Sequence, residues 1–141
     1  MNNIIAVDFD GTIVTHEYPR IGKEIPFAIE TLIRLQREGY RLILWTVRSG
    51  DLLQEAVDYC RSKGLEFYAV NANFAEEQFD AKDSRKVNAN IYIDDRQVGG
   101  LPDWGIIYQM VKGTCVPQYN TQYVMPKPKG FWARLKSSLL G

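Results

Sequence analysis

The sequence has few of the residues on which disulfide scaffolds and zinc sites depend. Among 141 residues there are two cysteines, Cys60 and Cys115, and a single histidine, His16. The cysteines are far apart in the chain and no histidine cluster accompanies them, which disfavours both a disulfide framework and a zinc site. We therefore expect a reducing, cytoplasmic location.

Long apolar runs and an excess of one charge are also missing. No stretch is long enough for a transmembrane helix. The N-terminus lacks the basic start and apolar core of a secretory signal, so we expect no membrane association. The 17 basic and 17 acidic residues balance, which argues against a nucleic-acid partner because such binders usually carry a broad basic surface. The hydrophobic content of 45% excludes a disordered chain.

Short apolar runs alternate with segments of helical periodicity. The pattern predicts strands at 3–8, 41–46, 66–70 and 89–94, helices at 24–38, 50–63 and 103–112, and a loop at 71–88. Strands that alternate with helices are typical of crossover units and a mainly parallel sheet. We therefore expect a three-layer, Rossmann-like α/β fold, with helices on both faces of a parallel sheet.

From residue 117 onward the composition changes. Prolines interrupt residues 117–129, and residues 130–140 have apolar side chains at roughly helical spacing. We predict a folded domain over 1–116, followed by a tail over 117–141 that is first extended and then forms a short amphipathic helix. The tail is expected to pack on the domain or on a second subunit, and the latter arrangement would make a homo-oligomer.

Three of the predicted strands end in polar, chemically capable groups. These groups are Asp8, Asp10 and Gly11 after the first strand, Thr46 and Arg48 after the second, and Asp94 and Asp95 after the fourth. Ligands of open parallel sheets bind outside the carboxyl ends of the strands. We therefore expect all of these groups to line one pocket.

Four carboxylates in one pocket repel each other strongly unless some are protonated or a cation is present. Hard oxygen ligands favour Mg²⁺, which commonly binds carboxylates together with a substrate phosphate. The group therefore predicts metal-assisted phosphoryl transfer, in which one carboxylate attacks phosphorus and the other handles the leaving-group proton. Gly11 would turn the chain sharply and expose amide hydrogens to an anion.

Three further side chains near these motifs have two open interpretations each. The guanidinium groups of Arg48 and Arg96 suit a substrate anion, but each could instead form a structural ion pair with a nearby acid. His16, in the loop after the first strand, could contact a leaving group or could be a surface residue without a catalytic role.

Three segments together resemble the haloacid dehalogenase (HAD) superfamily. Residues 8–12, Asp-Phe-Asp-Gly-Thr, are similar to its opening motif, and residues 45–48, Trp-Thr-Val-Arg, resemble its second motif. Residues 92–95, Tyr-Ile-Asp-Asp, resemble its acidic fourth motif. The resemblance covers about two-thirds of the chain, with the motifs in the expected order.

The resemblance implies a magnesium-dependent phosphatase that acts on a phosphomonoester, and we expect this substrate to be a small molecule. Asp8 would be the nucleophile that forms an aspartyl-phosphate, and Asp10 the general acid and then the base. Thr46 would hydrogen-bond the transferring phosphoryl group. Asp8, the main-chain carbonyl of Asp10, and Asp94 or Asp95 would hold Mg²⁺.

The third motif of the superfamily is a lysine that neutralises the phosphate. Lys86 is the candidate here, with Lys82 and Arg85 as alternatives. The gaps at 13–23 and 71–85 are short, so we expect no full cap domain.

Two other function classes remain open. One is a phosphoacceptor domain of the response-regulator kind, which the Val70-Asn71 end of the third strand disfavours. The other is a catalytically silent binding module, which the complete set of aspartates disfavours because buried charges without a role are costly.

Overall fold

The computed structural model describes residues 3–114, in which four strands and three helices follow one another, with the last two strands joined by a non-helical segment. The elements are β1 (Ile4–Val7), α1 (Ala28–Arg37), β2 (Arg41–Leu44), α2 (Gly50–Ser62), β3 (Ala69–Val70), β4 (Ile91–Ile93) and α3 (Trp104–Val111). Each lies within the span predicted for it, and the strands are shorter than predicted. The predicted tail, its helix and Cys115 lie outside the described residues.

The four strands form one parallel sheet in the order β3-β2-β1-β4. Val7, the last residue of β1, pairs with Leu44 of β2 on one side and with Ile93 of β4 on the other. The residues that follow these three strands therefore leave the sheet side by side. This register is what brings Asp8 next to the acids that follow β4.

One face of the sheet packs against the helices. Ile5 and Val7 of β1 share a buried cluster with Leu32 of α1, Ala56 of α2 and Trp104 of α3. The connections β1-α1-β2 and β2-α2-β3 move in the same direction across the sheet. Because such crossovers are right-handed, they place α1 and α2 on the same face.

The opposite face is covered by the β3–β4 crossover. Ala6, Ile43 and Ala69, which alternate with the residues of the first face, pack with Val87 from this crossover. The α/β class and the layered, Rossmann-like arrangement are confirmed, and no full cap is present within residues 3–114. In the described residues this second covering layer is a non-helical segment, as the loop predicted at 71–88 implies.

The start of α1 differs from the prediction. The helix predicted from residue 24 begins at Ala28, because Phe27 has a left-handed backbone conformation (φ 67°) that interrupts helical geometry. Pro26 therefore precedes the helix instead of lying in its first turn.

Within residues 3–114, no helix has both the length and the apolar character needed to cross a bilayer.

Candidate functional site

Three acidic side chains meet at the carboxyl edge of the sheet. Asp8 follows β1, and Asp94 and Asp95 follow the adjacent strand β4. Each offers a carboxylate oxygen, all of these oxygens lie within 4.8 Å of one another, and the three residues are half-buried. The structure thus brings together acids that are more than eighty positions apart in the sequence.

The electrostatics of this group favour a bound cation. Burial first, and then the nearby charge of Asp94, raise the pKa of Asp8 from 3.8 to about 7, while hydrogen bonds from the Phe9 amide and the Thr12 hydroxyl oppose the rise. A divalent ion among the carboxylates would favour their charged forms. The donor set, made of hard carboxylate oxygens, therefore fits Mg²⁺.

Thr12 connects the two strand ends that supply the acids. Its hydroxyl lies 3.0 Å from Oδ2 of Asp8 and 3.4 Å from Oδ1 of Asp95, and it accepts the backbone N–H of Asp95 at 3.1 Å. Thr12 is fully buried, and its carbonyl accepts a hydrogen bond from Nε1 of Trp104 at 3.1 Å. Sequence reasoning quoted Thr12 in the first motif without giving it a role, although a hydroxyl directly after the turn glycine was a usable signal.

Gly11 turns the chain as predicted, but its amide does not face an anion. Its N–H donates to the carbonyl of Val14 at 2.7 Å, so this amide is not available to an anion. The residue has a positive φ of 85°, and a Cβ at this position would collide with the carboxylate of Asp95. Glycine is required here because the Asp95 side chain packs directly against its backbone.

Arg48 is a partner of Asp10, which supports the ion-pair interpretation of this residue and contradicts the substrate-binding one. Its Nε and one terminal nitrogen donate to the two oxygens of Asp10, each at 2.7 Å. It also donates to the carbonyls of Pro19 and Arg20, each at 3.0 Å. Arg48 is 1% exposed, so its guanidinium is enclosed by protein groups and does not present itself to a ligand.

The ion pair with Arg48 also limits proton transfer by the Asp10 carboxylate. Asp10 lines the same cavity as Asp8, but its carboxylate is not part of the metal-binding group formed by Asp8 and its two neighbours. Both carboxylate oxygens accept hydrogen bonds from Arg48. In this conformation, neither of them is free to protonate a leaving group.

Thr46 lies at the end of β2, beside a second pocket. Its N–H donates to Oδ1 of Asn71 at 2.8 Å, and its hydroxyl accepts the N–H of Arg48 at 3.1 Å. Thr46 and Asn71 line a pocket of about 640 Å³, together with Arg85. Sequence reasoning missed Asn71, although its position directly after β3 followed the same strand-end rule as the acids.

Among the candidates for the third motif, the structure favours Arg85 over Lys86. Arg85 lines the pocket of Thr46. Lys86 lies with its ammonium 4.8 Å from the centre of the Tyr92 ring, and neither Lys86 nor Lys82 lines that pocket or the cavity of Asp8. The assignment of Lys86 to the third motif stays a prediction, because the non-periodic crossover gives no signal of which side chain points to the site.

The cavity at the acids is small. It measures about 260 Å³ and is lined by Asp8, Asp10, His16, Tyr18, Val47, Asp94 and Arg96. A terminal nitrogen of Arg96 lies 3.3 Å from Nε2 of His16. Sequence reasoning considered His16 and Arg96, but it missed Tyr18 and Val47.

The comparisons with known proteins give one match. No protein-family model and no curated protein matches the chain. A solved structure of a conserved protein from Bacteroides thetaiotaomicron is 60% identical, with a TM-score of 0.77, over 82% of this chain and 94% of that chain. The chain belongs to the same family as that protein. The name of that Bacteroides protein states no activity, so the proposed function below rests on the geometry of the site.

Proposed function

We propose that this protein is a magnesium-dependent phosphatase that hydrolyses a phosphomonoester through an aspartyl-phosphate on Asp8. The observation that carries the proposal is the meeting of Asp8 with Asp94 and Asp95, half-buried and within coordination distance of a shared ion. The resemblance of the three sequence motifs to the HAD superfamily supports the same reaction.

The residues that would hold Mg²⁺ are Asp8, Asp94 and Asp95, with the main-chain carbonyl of Asp10 as a further ligand that the resemblance implies. A bound ion would neutralise charge on the carboxylates and on the substrate phosphate. Thr12 supports this arrangement, because its hydroxyl contacts both Asp8 and Asp95.

Asp8 is the proposed nucleophile because it lines the cavity and its carboxylate is oriented by Thr12. An Asp8 oxygen attacks phosphorus, and the bond from phosphorus to the leaving-group oxygen breaks. Water then attacks the phosphorus of the aspartyl-phosphate, which releases inorganic phosphate and restores the carboxylate. Thr46 follows β2, the strand next to β1 and Asp8, and would contact a phosphoryl oxygen there, while Arg85, which lines a pocket with Thr46, would supply positive charge.

Asp10 would supply a proton to the leaving group and later take one from water. This role requires its side chain to rotate away from Arg48, because both of its oxygens are occupied in the structure. Arg48 would keep its hydrogen bonds to the carbonyls of Pro19 and Arg20 during this rotation.

The proposal also includes the cellular location of the protein and the kind of partner that it binds. Cys60 is a buried free thiol, without a disulfide partner in the described part of the chain. A free thiol fits a reducing cytoplasm, and the proposed partner is a small phosphoester rather than nucleic acid or a membrane.

The test is hydrolysis of p-nitrophenyl phosphate with and without Mg²⁺. We expect metal-dependent turnover by the wild-type protein, loss of turnover in Asp8→Asn, and normal turnover in Asp51→Asn, an exposed aspartate on α2. Turnover that survives Asp8→Asn contradicts the proposed nucleophile. Stable labelling by acetyl phosphate without turnover would support a phosphoacceptor domain, and inactivity on a broad panel of phosphoesters would support a binding module.

A further inference from the structure

The rim of the Asp8 cavity carries two cationic or hydrogen-bonding side chains that the proposed reaction does not use. Arg96 and His16 both line the cavity, and their side-chain nitrogens are 3.3 Å apart. The backbone N–H of Arg96 donates to Oδ1 of Asp94 at 2.9 Å. This bond fixes the turn after β4, so the Arg96 side chain starts from a defined position beside the acids.

Within the described residues 3–114, the charge of Arg96 has no acidic partner. Ion pairs within residues 3–114 involve other basic residues, such as Arg48 with Asp10 and Arg34 with Glu38. The Arg96 guanidinium forms none with any carboxylate of the described residues, although Asp94 is only two positions away. Its side chain lies next to His16 instead, and it is exposed at the cavity.

Two residues that line the cavity, Tyr18 and Val47, offer apolar surface. Tyr18 is 47% exposed and Val47 is 80% exposed. The Tyr18 ring lies 5.2 Å from the guanidinium carbon of Arg48. Arg48 also bonds the carbonyls of Pro19 and Arg20, so a buried side chain holds the loop with Tyr18 over the cavity.

One cavity is thus lined by acids, by the apolar surface of Tyr18 and Val47, and by the cationic side chain of Arg96. A guanidinium without a carboxylate partner is suited to a bidentate contact with an anionic oxygen pair. The transferring phosphoryl group itself would lie at Asp8. The rim is therefore placed for a second anion on the leaving group.

Building on the proposed phosphatase function, we propose that the substrate is a small phosphomonoester whose organic part carries a second anionic group. Arg96 and His16 bind that anion, and Tyr18 and Val47 contact the apolar portion that separates it from the phosphoryl group. The second anion is a carboxylate or a second phosphate, since both present paired oxygens to a guanidinium.

The test compares phenyl phosphate, 4-carboxyphenyl phosphate and 1,4-phenylene bisphosphate, which differ only in the second anion. We expect higher kcat/KM for at least one anionic compound, and the better of the two identifies the anion. Arg96→Gln should lower kcat/KM for that compound about tenfold more than for phenyl phosphate, chiefly through KM, because a charge-assisted contact is lost. For the same compound, the kcat/KM of Arg96→Lys should lie between the values for the wild type and Arg96→Gln. Arg37→Gln, an exposed arginine on α1 that does not line the cavity, is the matched control.

Two kinetic outcomes and one binding outcome overturn the subsite. An equal loss on all three compounds would place Arg96 at the transferring phosphoryl group, and no change on any compound would leave it without a contact. Calorimetric binding of the same compounds in the Asp8→Asn background, with Mg²⁺ present, separates this inference from the proposed reaction. Weaker binding of the anionic compounds after Arg96→Gln supports the subsite even without turnover, whereas unchanged binding overturns it.

Discussion

The carboxylate of Asp10 accepts two hydrogen bonds of 2.7 Å from Arg48, although both residues are almost completely buried. Burying an ion pair costs desolvation energy, which good geometry and further hydrogen bonds can offset. Here the further bonds run to the carbonyls of Pro19 and Arg20. Asp10 and Tyr18 both lie in the loop after β1, and Arg48 lies in the loop after β2. The pair and these bonds therefore hold the two loops together at one cavity.

Breaking this pair should destabilise the fold strongly. Arg48→Met leaves the Asp10 charge buried without a partner, so we expect a loss of about 3–5 kcal/mol in the free energy of unfolding, measured by urea denaturation. Arg61→Met, whose side chain is 59% exposed, should change it by less than about 1 kcal/mol. Asp10→Asn combined with Arg48→Met should recover part of the loss, and equal losses for Arg48→Met and Arg61→Met would contradict the buried pair.

Gly11 should be needed for metal binding and not only for the turn. A Cβ at Gly11 would collide with the Asp95 carboxylate, whereas one at Gly39, which also has a positive φ (97°), would meet no atom within 4 Å. Both alanine variants should lose about 1–2 kcal/mol of stability from backbone strain. Only Gly11→Ala should also weaken Mg²⁺ binding in calorimetry, and equal affinities of the two variants for Mg²⁺ would refute the close approach.

The pKa of Asp8 predicts a pH-dependent stability in the presence of a chelator. Its pKa is raised from 3.8 to about 7 by burial and by Asp94. Between these values the folded state holds a proton that the unfolded state has lost, so the free energy of unfolding decreases as pH rises through this interval. The full contribution is present below 3.8 and is lost above about 7. We expect a decrease of about 2 kcal/mol once partial exposure is allowed for.

Asp8→Asn provides the reference for this measurement, because its side chain does not titrate. The difference between the stability curves of the wild type and Asp8→Asn should grow with pH in chelator and shrink when Mg²⁺ is added. Parallel curves in chelator would show that Asp8 titrates normally, contrary to its burial next to Asp94.

The thiol of Cys60 should be unreactive in the native protein. Burial raises its pKa to about 12, and the thiolate is the form that reacts with thiol reagents. In a Cys115→Ser background, which leaves Cys60 as the remaining cysteine, we expect labelling by a disulfide reagent only after unfolding. Rapid labelling under native conditions would mean that α2 opens readily.

The acids at the strand ends were predictable because two rules act together. Apolar runs that end at Asp8 and Asp94 mark buried strands, and neighbouring parallel strands bring their carboxyl ends to one edge. The partner of Arg48 was not predictable, since the choice between a substrate anion and Asp10 depends on how the side chain packs. The choice between Arg85 and Lys86 was not predictable either, because their segment has no periodicity that reveals which side chain faces the site.

Whether Asp8 carries the phosphoryl group during turnover can be measured by acid quenching followed by mass spectrometry. The protein is mixed with Mg²⁺ and p-nitrophenyl phosphate, quenched within one turnover and digested. We expect the peptide containing Asp8 to gain the mass of one phosphoryl group in the wild type and in Asp51→Asn, but not without Mg²⁺ or in Asp8→Asn. Turnover by Asp8→Asn at the wild-type rate, with no phosphoryl mass on that peptide in either protein, would show that Asp8 is not the nucleophile.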